Sequence, residues 1–475
     1  MRVVAVILAA TLAAALPADA RTSQAASVDE LQSHLDAAEA GDRIVVKGGT
    51  YATTAPLLVR GRAGTAAAPI VIEAETIGGV TIGGTAGFAF DDASYVVVRG
   101  FRFTHASTQA IAPSAAHVRF TRNVFELAPE VRHWLSIEGD DAEIDHDTFQ
   151  NKKTAGVYIS VTGRGGDPAS TMAQRAWIHH NGFYDHSFGG ANGGEGIRVG
   201  LSGLSLLSAH AVVEHNLFEH HNGDPEAVSV KSSDNVVRDN TVRDSKACLV
   251  LRHGNRTTVE GNFILNGRCG IRFYGDDHRI VNNYIAGATA ESPQEPGWGA
   301  AITVGSGSVA DHLPEHTPRS RRGRDAPERV VVAFNTLVGN VQPIAGEHRE
   351  FPPRGCIFAN NVIVGEGGPL VSLAADPPVG FKWEGNVVWG TAAAGDMPAD
   401  GSRRVDPAWT LQDGLYRASK GSPLVDAAQG AYPEIALDMD GQERTGVKDI
   451  GADELSSEPV RRRPLTRADV GPDAP

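Results

Sequence analysis

Short apolar runs, broken at nearly regular intervals by an asparagine, organise most of this chain. A β-branched pair, one or two polar residues, Asn and then an aromatic or aliphatic residue recur. The theme appears at Asn123-Val124-Phe125, Asn181-Gly182-Phe183, Asn216-Leu217-Phe218, Asn240-Thr241-Val242 and Asn262-Phe263-Ile264. It continues at Asn283-Tyr284-Ile285, Asn335-Thr336-Leu337, Asn361-Val362-Ile363 and Asn386-Val387-Val388, with Asp147-Thr148-Phe149 as a variant. From Asn216 to Asn283 the intervals are 24, 22 and 21 residues, and later ones are 26 and 25. A period in this range means stacked supersecondary units. The Leu-x-x-Leu-x-Leu frame of a leucine-rich repeat is absent, and short Val/Ile/Phe runs punctuated by Gly and Asn predict strands and turns. The predicted architecture is all-β, a parallel β-helix whose successive coils stack at about 4.8 Å. Asn suits its corners because it tolerates the left-handed backbone and can form a side-chain ladder.

Three intervals are longer: 34 residues from Asp147, 35 from Asn181 and 52 from Asn283. Each predicts an inserted loop, and loops on a rigid solenoid build binding clefts. The longest insertion carries Arg319, Arg321, Arg322, Arg324 and Arg329, read first as a solvated loop and alternatively as a cleft wall for a polyanion. Near the start, Ser27-Val28-Asp29-Glu30 has the capping-box pattern and Leu31, Leu35 and Ala38 share a face. This predicts a helix that covers the open end of the solenoid. Residues 1–20 read as an export signal, with Arg2, an apolar run and the small-x-small Ala18-Asp19-Ala20. Export to the periplasm or medium is therefore expected, with a solenoid over 21–455 and an extended tail over 456–475. Arg461, Arg462 and Arg463 in that tail read as solvated.

Composition narrows the function. With 54 Gly and 41% hydrophobic residues the chain is a turn-rich folded protein. A net charge of −14 argues against nucleic-acid binding, and no mature segment reads as a membrane span. A polyanion ligand then requires a local basic strip. Cys248 and Cys269 are 21 residues apart and stack in successive coils. The burial preference of free cysteine favours two small apolar core residues over a disulfide.

Candidate chemistry gathers in two segments one coil apart, Asp224-Pro225-Glu226 through Lys231-Ser232 and Leu251-Arg252-His253-Gly254. Lys231 and Arg252 are 21 residues apart, which predicts neighbouring cationic heads. Asp224 and Glu226, two apart, are expected on one strand face, where hard oxygen ligands suit Ca²⁺. Asn192, in a glycine-rich turn, is a third candidate oxygen ligand, with Glu195 as its competitor. Arg198, Lys231, Arg252 and Arg272 would make the local positive strip, with Arg268 and His253 nearby. The pairs His179-His180 and His220-His221 occupy corner positions and read as structural.

These motifs resemble polysaccharide lyase family 6, the alginate lyases and chondroitinase B. The resemblance rests on Asp224-x-Glu226-x-x-x-x-Lys231-Ser232, Leu251-Arg252-His253-Gly254 and Gly261-Asn262-Phe263. Gly48-Gly49-Thr50-Tyr51, Pro69 to Ala74 and Asp449-Ile450-Gly451-Ala452 resemble the family's opening and closing segments. It implies a right-handed parallel β-helix and Ca²⁺-assisted β-elimination of a uronate-containing polysaccharide, with alginate preferred. By the same resemblance Lys231 is the base, Arg252 the acid, and Asn192, Asp224 and Glu226 the Ca²⁺ ligands. Arg272, His253 and Arg198 become substrate contacts. Asp224 stands where the family commonly has Glu, and its shorter reach bears on Ca²⁺ dependence. Dermatan or chondroitin cleavage, C5-epimerisation and a non-catalytic carbohydrate-binding solenoid are the alternatives.

Overall fold

The computed structural model describes residues 20–164, 169–290, 298–313, 323–373 and 378–475. The expected leader, and Arg319, Arg321 and Arg322, lie outside these residues. The chain winds as a right-handed parallel β-helix. Each coil contributes one strand to each of three sheets. Two of these hold 14 strands and begin at Thr22–Ala25 (sheet 1) and Gly49–Thr53 (sheet 2); the third holds 13 and begins at Leu57–Arg60 (sheet 3). Val, Ile, Leu and Phe at alternate positions point inward and make one continuous core, including the stacked rings of Phe125, Phe149, Phe183 and Phe218.

The recurring Asn sits at the corner between sheets 1 and 2. Asn240 is typical. Its backbone N–H and its Nδ2 both donate to Asn262 Oδ1 at 3.0 Å, and Nδ2 also donates to the Val213 carbonyl at 2.9 Å. The same bonds join Asn216, Asn240, Asn262, Asn283, Asn335, Asn361 and Asn386 into a buried ladder. Such corners need every backbone polar group satisfied, which the amide does with both its donor and its acceptor. One expectation is corrected. The left-handed residue is the one before the ladder Asn, as in Asp239 (φ 55°), His180 (φ 54°) and Asn282 (φ 57°). His146, His180 and His215 take that place in successive coils and stack their rings 5.1 and 5.0 Å apart.

Asp147 is the carboxyl member of the ladder. It accepts from Asn123 N and Nδ2 through Oδ1, while Oδ2 is buried without a partner. Burial pushes its pKa well above the ordinary value. A carboxyl whose folded pKa is raised loses stability as pH climbs from the unfolded value towards the folded one. Asp147→Asn restores the amide donor and removes that loss. It is expected to stabilise the protein by about 1–3 kcal/mol at neutral pH, with the gain shrinking below pH 4. Chemical denaturation at two pH values checks this.

The predicted helix covers Val28–Ala37, with Ser27 Oγ accepting from Glu30 N and Leu31 and Leu35 buried. Glu30 reaches back to the N–H of Ala26 instead of Ser27. Gln32 bonds both the carbonyl and the N–H of Leu58, so the helix covers the first edge of sheet 3. Among the described residues no helix is long and apolar enough to cross a membrane.

After the last coil the chain turns back along the outer face of sheet 2. Leu415 packs with Phe263 and Tyr284, Ile450 with Val362 and Val387, and Leu465 and Val470 with Tyr184 and Leu217. Residues 456–475 thus lie against the solenoid. Arg462 pairs with buried Asp239 at 3.1 Å and Arg463 with Asp469 at 2.6 Å, so neither is merely solvated.

Cys248 and Cys269 form a disulfide, which overturns the free-thiol reading. Stacking in successive coils brings their Cα atoms to 5.5 Å, within bonding range. The bridge closes a 21-residue span of the unfolded chain. Its loss in the Cys248→Ala/Cys269→Ala variant is expected to cost about 3 kcal/mol, read as a lower urea midpoint.

Candidate active site

The insertions flank the strands of sheet 3, whose outer face carries the candidate residues. Along that face one row of residues is in register from coil to coil: Ser160, Arg198, Ser229, Val250, Arg272 and Thr303. Lys231 stands two residues along its strand, Glu226–Lys231, and therefore faces the same way. The next strand, Cys248–His253, carries Arg252.

The 21-residue spacing does not put Lys231 directly opposite Arg252. Val230 pairs with Leu251, but Lys231 pairs with His253, because the register shifts at this step. Arg252 is the extra residue of a β-bulge. Bulges re-aim side chains at sheet rims and active sites, and this one brings the Arg252 guanidinium to Glu226. Arg252 Nη1 and Arg272 Nη2 both donate to Glu226 Oε1, at 3.0 and 2.9 Å, and the Ser229 hydroxyl donates to Oε2. Burial opposes ionisation of Glu226, but Arg252, Arg272 and Lys231 outweigh it and hold the carboxyl below its usual range.

Asp224 does not share the strand face with Glu226. It precedes the strand and folds back, with Oδ1 accepting from Glu226 N and Oδ2 from Gly194 N, both at 2.8 Å. Burial, then the neighbouring Glu226 and Glu195 carboxylates, push its pKa up. Of the two candidates in the glycine-rich turn, Asn192 is exposed and Glu195 is buried. Glu195 Oε1 accepts from Lys231 Nζ at 3.0 Å, while Oε2 is buried without a hydrogen-bond partner. Three buried carboxylates thus face three cationic side chains. The donors are hard oxygens of the type Ca²⁺ takes, but only Glu195 keeps an unused oxygen, and the three carboxylates do not converge within 4.8 Å of one another in the way four other groups among the described residues do.

Arg198 lies in the predicted strip, donating to Ser160 Oγ at 3.0 Å and meeting His133 Nε2 at 3.3 Å. Arg272 and His253 are placed differently from surface contacts. The Arg272 side chain is 2% exposed and lies 3.9 Å from the Trp298 ring centroid. His253 is buried and neutral, its pKa lowered to about 3 by burial, then by Arg252 and Lys231. Arg272 stays on the outward row but is covered by Trp298, and it steadies Glu226.

Several residues around the site were not singled out from sequence. His133 had no motif to mark it. Trp298 comes from the long insertion, where nothing fixes direction in advance. Tyr274 follows the strand Ile271–Phe273 directly, and it donates to Glu347 at 2.6 Å. Arg324 leans over Tyr274 and Trp298, at 5.7 and 5.3 Å from their rings, so at this position the insertion packs over the residues around Arg272. Arg329 instead pairs with Asp276, Asp277 and Glu328.

The sequence model of the chondroitinase B family matches residues 25–313. No curated protein matches the chain in a sequence search. Among solved structures, the alginate lyase AlyGC, described as of the PL6 family, superposes with a TM-score of 0.73 at 24% identity. That match covers 92% of this chain, which spans only 59% of AlyGC. A mannuronic-acid-specific family 6 lyase from human gut microbiota gives 0.68 at 25% identity, over 78% of this chain and 86% of that one. The family lyase Pedsa3628 from Pseudopedobacter saltans gives 0.62 at 20% identity, over 95% and 99%.

Proposed function

Because the chain belongs to the chondroitinase B family, polysaccharide lyase family 6, we propose that it is an exported lyase that cleaves alginate by cation-assisted β-elimination. The observation that carries the reading is that Lys231, held by Glu195, and the bulged Arg252, held by Glu226, stand on adjacent strands of sheet 3.

Lys231 is the base. It has to release one proton before it can accept the C5 proton of a uronate. The C–H electron pair then forms the C4–C5 double bond as the C4–O4 bond breaks. Arg252 hydrogen-bonds the departing oxygen, which takes its proton from water. Arg198, farther along the row, suits a uronate carboxylate in a neighbouring subsite. Arg272 positions Glu226 and does not touch the polymer. Asp224, Glu226 and Glu195 would hold Ca²⁺, with Asn192 on the adjoining turn. The chemistry Ca²⁺ supplies when bound is neutralisation of the uronate carboxylate and of the charge that develops beside it.

Alginate is preferred because AlyGC is described as an alginate lyase and the gut enzyme as specific for mannuronic acid. The chondroitinase B match favours dermatan as the second reading. Incubation with each polymer, with and without chelator, separates them. Ultraviolet-absorbing ends are expected from alginate and not from dermatan sulfate, at a rate that falls in chelator. The reverse preference would replace the substrate assignment.

A further inference from the structure

A second group of carboxylates lies away from Lys231, where the long insertion rejoins the solenoid. After the sheet 3 strand Ile271–Phe273 the chain turns through Gly275 to Asp276. The returning insertion pairs with this turn: Gly275 N donates to the Asp325 carbonyl at 3.1 Å and Asp277 N to the Glu328 carbonyl at 2.9 Å. This pairing brings Asp276, Asp311 and Asp325 together, each with an oxygen within 4.8 Å of the others'. Glu328 is alongside, bonded to His312 and Arg329.

Acidic clusters on protein surfaces are common, but here Asp276 and Asp325 are buried and Asp311 is half-buried. Asp276 is 5% exposed, and its Oδ1 is buried with no hydrogen-bond partner, while Oδ2 takes Arg329 Nη2 at 3.0 Å. A buried carboxylate oxygen without a donor is costly unless something neutralises it. Arg329 is already divided among Asp276, Asp277 and Glu328. Burial, then the neighbouring Asp311 and Asp276 carboxylates, raise Asp325 to about 8, and burial raises Asp276 to about 7.

We propose that Asp276, Asp311 and Asp325 form a second site for a hard divalent cation of the Ca²⁺ type, separate from the carboxylates beside Lys231. The ligand set is all oxygen, as Ca²⁺ prefers. Its role is structural. Asp311 and Asp325 come from the two limbs of the insertion and Asp276 from the solenoid, so one ion joins all three. Asp325 adjoins Arg324, which leans over Trp298 and Tyr274, so the ion also steadies that packing.

Calorimetric titration of the full chain with Ca²⁺ alone tests this, comparing wild type with Asp276→Asn/Asp325→Asn. The substitutions are isosteric and remove buried charge, so the apo variant is expected to fold. Wild type should bind one more equivalent than the variant, or bind that equivalent at least tenfold more tightly. The thermal shift produced by Ca²⁺ should be correspondingly smaller in the variant, whereas Asp224→Asn should keep it in part. Equal stoichiometry, affinity and thermal shift in wild type and variant would overturn the site. If the double variant does not fold, wild-type crystals soaked in terbium decide. An anomalous peak against Asp276 Oδ1 supports the site, and no peak there at saturating terbium removes it.

Discussion

Lys231→Arg is expected to lower kcat on the cleaved polymer by at least about 10³-fold while leaving the thermal transition within a few degrees of wild type. General-base catalysis contributes about 10²–10⁴-fold, and loss of a proton acceptor also removes the elimination step that depends on it. Arginine is chosen because it separates chemistry from structure. Lys231 Nζ bonds Glu195, whose side chain is 1% exposed, and alanine would strand that carboxylate. A guanidinium keeps the charge pair but does not give up its proton in proteins. Activity within tenfold of wild type would show that residue 231 positions charge and does not take the C5 proton. Circular dichroism and thermal unfolding alongside steady-state kinetics make the distinction.

The second large effect is on stability. Glu226→Gln leaves the guanidiniums of Arg252 and Arg272 without their shared carboxylate, and the Arg272 side chain is only 2% exposed. Breaking a buried pair by removing one partner costs about 3–5 kcal/mol. The cost should appear in chelator, where no bound cation contributes, as a lower urea midpoint. A solenoid need not unfold in one step, so the loss should be local, with faster hydrogen exchange in the strands Glu226–Lys231, Cys248–His253 and Ile271–Phe273. Its pH dependence has a definite sign. Glu226 is held low by its cations, so its stabilisation is present above the ordinary carboxylate range and is lost as pH falls through the lowered value. An unchanged midpoint in Glu226→Gln would mean that the two arginines are not held by this carboxylate.

The repeat was legible because the physics behind it is local: an inward-pointing aliphatic or aromatic residue, a corner amide and a period set by one coil. Asn216, Asn240, Asn262 and Asn283 could be aligned by eye, and each lies in the ladder. Spacing alone could bring Lys231 and Arg252 to adjacent strands. It could not show that Arg252 bulges and that His253 takes the opposing position, because a bulge is settled by local backbone geometry. The glycine-rich turn is similar. Motif matching selected Asn192, whereas the folded turn points Glu195 inward, and several adjacent glycines leave that choice to tertiary contacts. Asp224 was expected on the strand because the i, i+2 rule presumes an extended backbone, yet the chain bends there to cap Glu226 N. Spacing stacks Cys248 on Cys269, but the burial preference of free cysteine points away from the bridge that forms; the docked segment around Arg462 depends on long-range approach, which no local pattern encodes.

The most direct test of the whole account is the chemistry of the products. Mass spectrometry of oligosaccharides released from alginate by the wild-type protein should find each new non-reducing end lighter by one water than a hydrolysis product. Ultraviolet absorption should rise in step with chain cleavage. Saturated ends, or isomerised uronates with no cleavage, would contradict elimination at Lys231 and Arg252.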